Sequence, residues 1–321
     1  MFPEVNPSLT PTLEQYAVKL TDPITSGPAD VIDGLLPNGQ LVIAGETEAG
    51  KTLCSMEIAS SLLTGIPLWG ELKPNLKAKK VVHFLAEHQV EVLQRLAIKT
   101  GLNYGNDYYV LDPDRLGYDR WLVQQGRPNL ASIDKFKKWA TGCDLVIFDP
   151  LSAFVSGVDE NDNIAMRLVL QTMSDIAHQV GASSIVLAHQ GKPVFDYKGQ
   201  EHTRKAYAIR GASAIEDCGT NIFYLSKTDQ KPTGQILELN KRKYKGHAPD
   251  QYKLLRDSRT LTHTLLLGKT DGDILKMDAK SKLGAMLVAF PRYERDIVIR
   301  ITATALGLSE ETFRRRINEP A

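Results

Sequence analysis

No pairing pattern joins the chain's three cysteines, Cys54, Cys143 and Cys218. They are far apart, odd in number and never spaced C-x-x-C, which argues against a disulfide scaffold and against a structural zinc site. Three small buried hydrophobes in a reducing compartment are expected instead. No apolar run reaches membrane-spanning length. The N-terminal MFPEVNPSLTPTLEQ lacks the basic and apolar regions of a signal peptide. A cytoplasmic protein with no membrane partner is the expectation. Excess charge is also missing, since 39 Lys and Arg against 38 Asp and Glu leave a net charge of +1. With a neutral bulk field, any affinity for nucleic acid must come from local basic patches. Internal repeats and low-complexity tracts are absent as well.

What remains is an ordinary globular composition, 42% hydrophobic over 321 residues, enough for one large domain or two unequal ones. Residues 1–30 carry Pro3, Pro7, Pro11, Pro23 and Pro28. They read as an extended arm with at most one short helix around Leu13 to Lys19. Short apolar runs follow, starting at Gln40, Lys80, Asp144, Ser184, Thr220 and Gln235. The first four are continuous rather than alternating, as in strands of a parallel sheet covered on both faces. Helices are expected over Thr52 to Leu63, Gln89 to Gly101, Ala131 to Thr141 and Asn163 to Val180. The later, closer runs suggest an antiparallel edge. The fold class is therefore α/β, with one large unit over 31–270 and a separate helical unit over 276–321.

Four elements carry chemistry. Gly45-Glu46-Thr47-Glu48-Ala49-Gly50-Lys51-Thr52 fits G-x-x-x-x-G-K-[ST], after an apolar strand and before a helix-prone stretch. Glycines let the backbone wrap phosphate closely, and the following helix adds its N-terminal partial charge. Lys51 would reach the β- and γ-phosphates of ATP, and Thr52 would place its hydroxyl on Mg²⁺. Asp149 ends the apolar run Leu-Val-Ile-Phe; at the carboxyl end of a strand it would hold Mg²⁺ through water. Glu87 sits just past another apolar strand, where a carboxylate can deprotonate the attacking water. His189 and Gln190 end a fourth strand, and His189 can sense the γ-phosphate by hydrogen bonding.

In this order the elements resemble the RecA-like ATPases, and among them the RepA-type hexameric replicative helicases of plasmids and phages. The likeness covers about residues 31 to 268. It is sharpest in Val31-Ile-Asp-Gly-Leu-Leu-Pro-Asn-Gly-Gln, Phe84-Leu-Ala-Glu87, Phe148-Asp-Pro-Leu-Ser-Ala-Phe, Asp159-Glu-Asn-Asp-Asn, Ala188-His-Gln-Gly-Lys192 and Ile209-Arg-Gly-Ala-Ser. The resemblance implies a RecA-like sheet, a hexameric ring, Glu87 as catalytic base and His189 as sensor. It also implies that Arg210 reaches into a neighbouring subunit's site. Lys241-Arg242-Lys243 resembles the K-x-R element of DnaB-like rings; Lys243 stands where those have Arg, so bidentate contact is lost. Arg95 and Tyr244 match positions that flank the adenine base. No DnaB-type collar domain is expected from residues 1–30.

Two regions invite DNA. Gly191 to Arg210 is polar, with Lys192, Lys198, Arg204, Lys205 and Arg210 interleaved with Phe195, Tyr197 and Tyr207. Cations neutralise phosphates and aromatics stack on bases, which is the chemistry of single-strand binding. At the C-terminus, Ala305, a turn at Gly307 and an Arg-rich helix opened by Ser309 resemble a helix-turn-helix. Arg314 to Arg316 would face DNA phosphates, or the unit would dock a replication-protein partner. Three functions stay open: a ring motor on single-stranded DNA, a filament-forming recombinase or strand-annealing ATPase, and a regulatory ATPase that switches a protein partner.

Overall fold

A computed structural model describes residues 30–87, 90–105, 107–159, 162–189, 194–195, 201–202, 215, 219–231, 234–266, 283, 286–287, 293–305 and 308–318. Its centre is a nine-stranded sheet. Six strands run parallel, in the order β11 (Ile222–Lys231), β1 (Gln40–Gly45), β8 (Ser183–His189), β6 (Leu145–Asp149), β2 (Val81–Leu85) and β3 (Tyr108–Leu111). Beyond β11 the sheet turns antiparallel through β12 (Gly234–Lys243), β13 (Gln251–Asp257) and β14 (His263–Leu266). The four continuous apolar runs are thus interior parallel strands. The antiparallel edge is also found, with two strands that the apolar runs did not signal, β13 and β14. A small three-stranded sheet joins β4 (Val123–Gln124), β5 (Arg127–Pro128) and β7 (Val155–Ser156).

Alternation within each strand sorts its side chains onto two faces. Val42, Ala44, Phe84, Val146, Phe148 and Val186 pack under α3 (Leu130–Ala140) and α4 (Asn163–Gln179). Leu41, Ile43, Leu145, Ile147, Ile185 and Leu187 pack against α1 (Lys51–Thr64) on the opposite face. Every residue of α1 except Thr52 and Thr64 is buried, so this helix lacks a solvent face and belongs wholly to the core. Asn129 caps α3 by accepting from Ser132 N. Asp162 caps α4 by accepting from Ile164 N and Ala165 N. Phe136, on α3, is fully buried among Phe84, Phe148 and Phe154. Truncating such a ring to Ala costs roughly 3–5 kcal/mol.

The four expected helices are α1, α2 (Val90–Thr100), α3 and α4, each within two residues of its expected bounds. Near the C-terminus, α5 (Arg295–Ala305) and α6 (Glu310–Asn318) share a core of Leu283, Met286, Val298, Ile299, Ile301, Ala303 and Phe313. Ser309 caps α6 by accepting from Thr312 N at 3.1 Å. The unit is tied to β13 by the Arg300–Asp257 ion pair at 3.0 Å, and to the end of α2 by the Tyr293 hydroxyl donating to the Thr100 carbonyl. Cys54 and Cys143 are buried thiols, as expected; Cys218 lies outside the described residues, as does the expected arm helix. Among the described residues no helix is long and apolar enough to cross a membrane.

Candidate active site

Parallel register brings the chemistry to one edge. Gly45 ends β1 level with His189 at the end of β8, and Leu85, two residues before Glu87, is level with Asp149 at the end of β6. Because β1, β8, β6 and β2 are consecutive neighbours, all four C-terminal ends line one crevice. That is where ligands bind in open α/β sheets.

The loop after β1 is shaped by what cannot fit. A Cβ on Gly45 would lie 2.2 Å from the Leu225 carbonyl oxygen of β11, so only glycine passes there. Gly50 has φ 98° and Glu48 φ 61°, left-handed values that fold the chain back before α1. The helix begins with no side-chain cap on Gly50 and no acid in its first turn. Its first N–H groups and partial positive charge are left for an anion.

Lys51 is 7% exposed. Its ammonium donates to the Gly45 and Glu46 carbonyls at 3.0 and 2.8 Å. Burial pushes it down to about 8, against the opposing pull of Asp149, Glu87 and Glu46; Lys227 on β11 adds to the lowering. Thr52 donates its hydroxyl to Asp149 Oδ2 at 2.7 Å. Glu87 Oε2 lies 3.1 Å from His189 Nε2, with the two side chains 40% and 27% exposed. Glu87 and His189 are thus held together at the open mouth, while Lys51, Thr52 and Asp149 lie deeper.

Mg²⁺ needs oxygen ligands, most of which it takes from water and nucleotide phosphates. A hydroxyl and a carboxylate already in contact fit that need. Among the described residues no group of three His, Cys, Asp or Glu side chains could hold a metal ion by itself.

Other sequence-derived positions fall elsewhere. Lys241 and Lys243 pair with Phe223 and Ile222 at the start of β11, whereas Gly45 pairs with Leu225 further along. They therefore sit toward the edge opposite the phosphate loop. Lys241 is bound there to Asp250 at 2.8 Å and to the Ala248 carbonyl. Tyr244, one residue beyond, donates its hydroxyl to Asp30 at 2.6 Å and lies edge-on to Phe223. Antiparallel β12 places Tyr244 toward the sheet edge away from Gly45. Arg95 is exposed on α2, one turn from Glu91, whose carboxylate is paired with Arg115 at 2.7 Å. Lys192, Tyr197, Lys198, Arg204, Lys205 and Arg210 lie outside the described residues. Within that stretch β9 (Val194–Phe195) pairs antiparallel with β10 (Glu201–His202). In α6, Arg314 is held by Asp296 at 2.9 Å and Glu310 at 2.8 Å, so its guanidinium is engaged within the unit.

Three residues at the site went unread in the sequence. Arg256 of β13 reaches the Glu48 and Ala49 carbonyls at 3.4 and 3.5 Å and holds Gln235 at 2.6 Å. Its partner loop is some two hundred residues away in the chain, and no local pattern signals the contact. Lys227 was hidden in a strand run. His83 had a signal, a lone polar residue in Val-Val-His-Phe-Leu. A cleft of about 620 Å³ also opens along α1, against Trp69 and Tyr293. Lys51, Thr52, Glu87 and Asp149 do not line it, so it is distinct from this crevice.

A model of the AAA domain family, AAA_25, matches residues 13–194 of the chain. That span includes the loop, Glu87, Asp149 and His189. A comparison with curated proteins found no match.

Proposed function

The chain belongs to the AAA domain family, and on that footing we propose that this P-loop ATPase is a ring motor on single-stranded DNA, a replicative helicase of the RepA type. The observation behind the reading is the meeting of Lys51, Thr52, Asp149, Glu87 and His189 at one sheet edge. Nucleotide phosphates would take the place of the Gly45 and Glu46 carbonyls as partners of Lys51 and accept from the first N–H groups of α1. Thr52 and Asp149 would hold Mg²⁺, which when bound neutralises charge on the phosphate oxygens. Glu87 accepts a proton from water as the water oxygen attacks the γ-phosphorus. The bond to the β–γ bridging oxygen breaks, leaving ADP and phosphate. Arg210 acts from the neighbouring subunit on the charge that develops.

The motor reading draws on one further connection. His189 touches Glu87 and is followed directly by the basic and aromatic Gly191 to Arg210 stretch. Loss of the γ-phosphate changes what Glu87 and His189 bond to, and His189 passes the change to a segment suited to DNA. The C-terminal unit is the proposed docking point for a replication-protein partner, since Arg314 is committed internally.

Electron microscopy with nucleotide and single-stranded DNA, alongside strand-displacement and ATPase assays, tests the reading. Rings, unwinding and DNA-stimulated hydrolysis support it. Filaments on DNA without unwinding would replace it with a recombinase, and DNA-indifferent hydrolysis with a regulatory ATPase. Mixing Arg210→Ala with Glu87→Gln subunits tests the trans contact, because interfaces with both wild-type residues should regain hydrolysis.

A further inference from the structure

His83 lies at the centre of β2 and is fully buried, where its neighbours are Val81, Val82, Phe84 and Leu85. A polar ring in such a place is costly unless its nitrogens find partners. Register places a hydroxyl beside one nitrogen and a carboxylate near the other. His83 is level with Val110 on β3 and with Ile147 on β6. Tyr108 is two residues before Val110, and Asp149 two residues after Ile147, so both share the His83 face. His83 Nδ1 lies 2.7 Å from the Tyr108 hydroxyl, and His83 Nε2 lies 3.5 Å from Asp149 Oδ2. Among the described residues Nε2 makes no hydrogen bond, so at 3.5 Å the Asp149 carboxylate stands just beyond the ordinary length for one. The same Oδ2 accepts from Thr52 at 2.7 Å. One diagonal chain therefore runs Tyr108, His83, Asp149, Thr52 across three strands into the first turn of α1.

The proton positions follow from chemistry. An ionised carboxylate only accepts, so a neutral imidazole facing it must carry its proton on Nε2. Nδ1 is then the acceptor, and Tyr108 must donate. Burial holds the Tyr108 phenol well above its ordinary range, which keeps that O–H in place as a donor.

We propose that His83 is a positioning residue for hydrolysis: locked in one tautomer by Tyr108, it orients the Asp149 carboxylate toward the Mg²⁺ that Asp149 and Thr52 would hold. The inference rests on the phosphate-site reading above. His83 touches neither nucleotide nor metal and acts only through Asp149. Such outer partners set ligand direction, and their loss weakens metal binding roughly 10- to 100-fold.

The test uses the full-length protein with ADP and Mn²⁺, following free Mn²⁺ by electron paramagnetic resonance. ADP affinity in EDTA is measured separately. His83→Phe keeps the ring volume but removes the donor. It should weaken Mn²⁺ binding on the order of tenfold and leave metal-free ADP affinity unchanged. His83→Gln, which presents an N–H at similar reach, should recover most of the loss. Tyr108→Phe, which changes only a hydroxyl, should weaken Mn²⁺ less than His83→Phe does, and it reads the same chain if His83→Phe does not fold. Wild-type Mn²⁺ affinity in both His83→Phe and Tyr108→Phe overturns the proposal, as does a loss that His83→Gln fails to restore. Asp149→Asn separates the two readings. If it leaves Mn²⁺ affinity intact, the metal-site reading falls; if it weakens binding while the His83 variants do not, only the positioning role falls.

Discussion

Lys51 holds its charge in a place that disfavours it, and the consequence is measurable without nucleotide. Burial lowers its ammonium from 10.5 to about 8, despite three nearby carboxylates that pull the other way. Between those two values the native state has released a proton that the unfolded chain still holds. Unfolding free energy must therefore rise with pH across that window. Below about pH 8 the cost of the buried charge is present in full; at ~1.36 kcal/mol per pH unit it amounts to roughly 3 kcal/mol. Lys51→Met removes the titration. It also strips the Gly45 and Glu46 carbonyls of their donor, but that loss does not depend on pH. Urea unfolding of nucleotide-free wild type and Lys51→Met, at about pH 7.5 and about pH 9.5, isolates the charge. The wild type should gain on the variant by roughly 2 kcal/mol between the two conditions. Lys51→Met should also lose hydrolysis at every pH, because the β- and γ-phosphates lose their buried cation. An identical stability gap at both pH values would refute the reasoning, since Lys51 would then titrate as an exposed lysine does. Wild-type turnover in Lys51→Met would refute the site itself.

Glu87→Gln should still bind ATP but hydrolyse it roughly a hundred- to ten-thousandfold more slowly; loss of binding in a filter or fluorescence assay would make Glu87 structural. Gly45→Ala drives a methyl to 2.2 Å from the Leu225 oxygen. A backbone carbonyl in a ladder cannot swing aside, so urea unfolding should show a loss of roughly 3 kcal/mol or more, and a neutral result would mean that β1 and β11 separate freely. In the Gly191 to Arg210 stretch, Lys198→Ala and Arg204→Ala should each flatten the slope of log affinity against log salt for single-stranded DNA by about 0.7. Tyr197→Ala should instead cost roughly 1–3 kcal/mol at every salt concentration. Unchanged affinity in the triple variant would move the DNA path elsewhere.

Local chemistry made part of this protein readable from its letters. The run from Gly45 to Thr52 has one sterically feasible course, because the turn needs left-handed backbone and the strand leaves no room for a Cβ at Gly45. The apolar runs before Glu87, Asp149 and His189 had to be buried strands, and a strand that ends in a polar residue delivers it to the sheet edge. Helices α3 and α4 were legible for the same reason, since their first turns follow from the neighbouring Asn129 and Asp162 caps.

Register and strand order belong to the tertiary structure alone, because they depend on which distant segments become neighbours. Tyr244 stands close in sequence to residues read as catalytic, yet the reversal between β11 and β12 takes it to the far edge and onto Asp30. Arg256 shows the converse, arriving beneath the phosphate loop from β13 with nothing local to announce it. His83 could be seen as an oddity in an apolar strand, but only the diagonal from Tyr108 to Asp149 gives it partners. A side chain's neighbours along the chain decide how it folds locally. Its neighbours across the sheet, set by pairings between segments far apart in sequence, decide what its charge and protons can do.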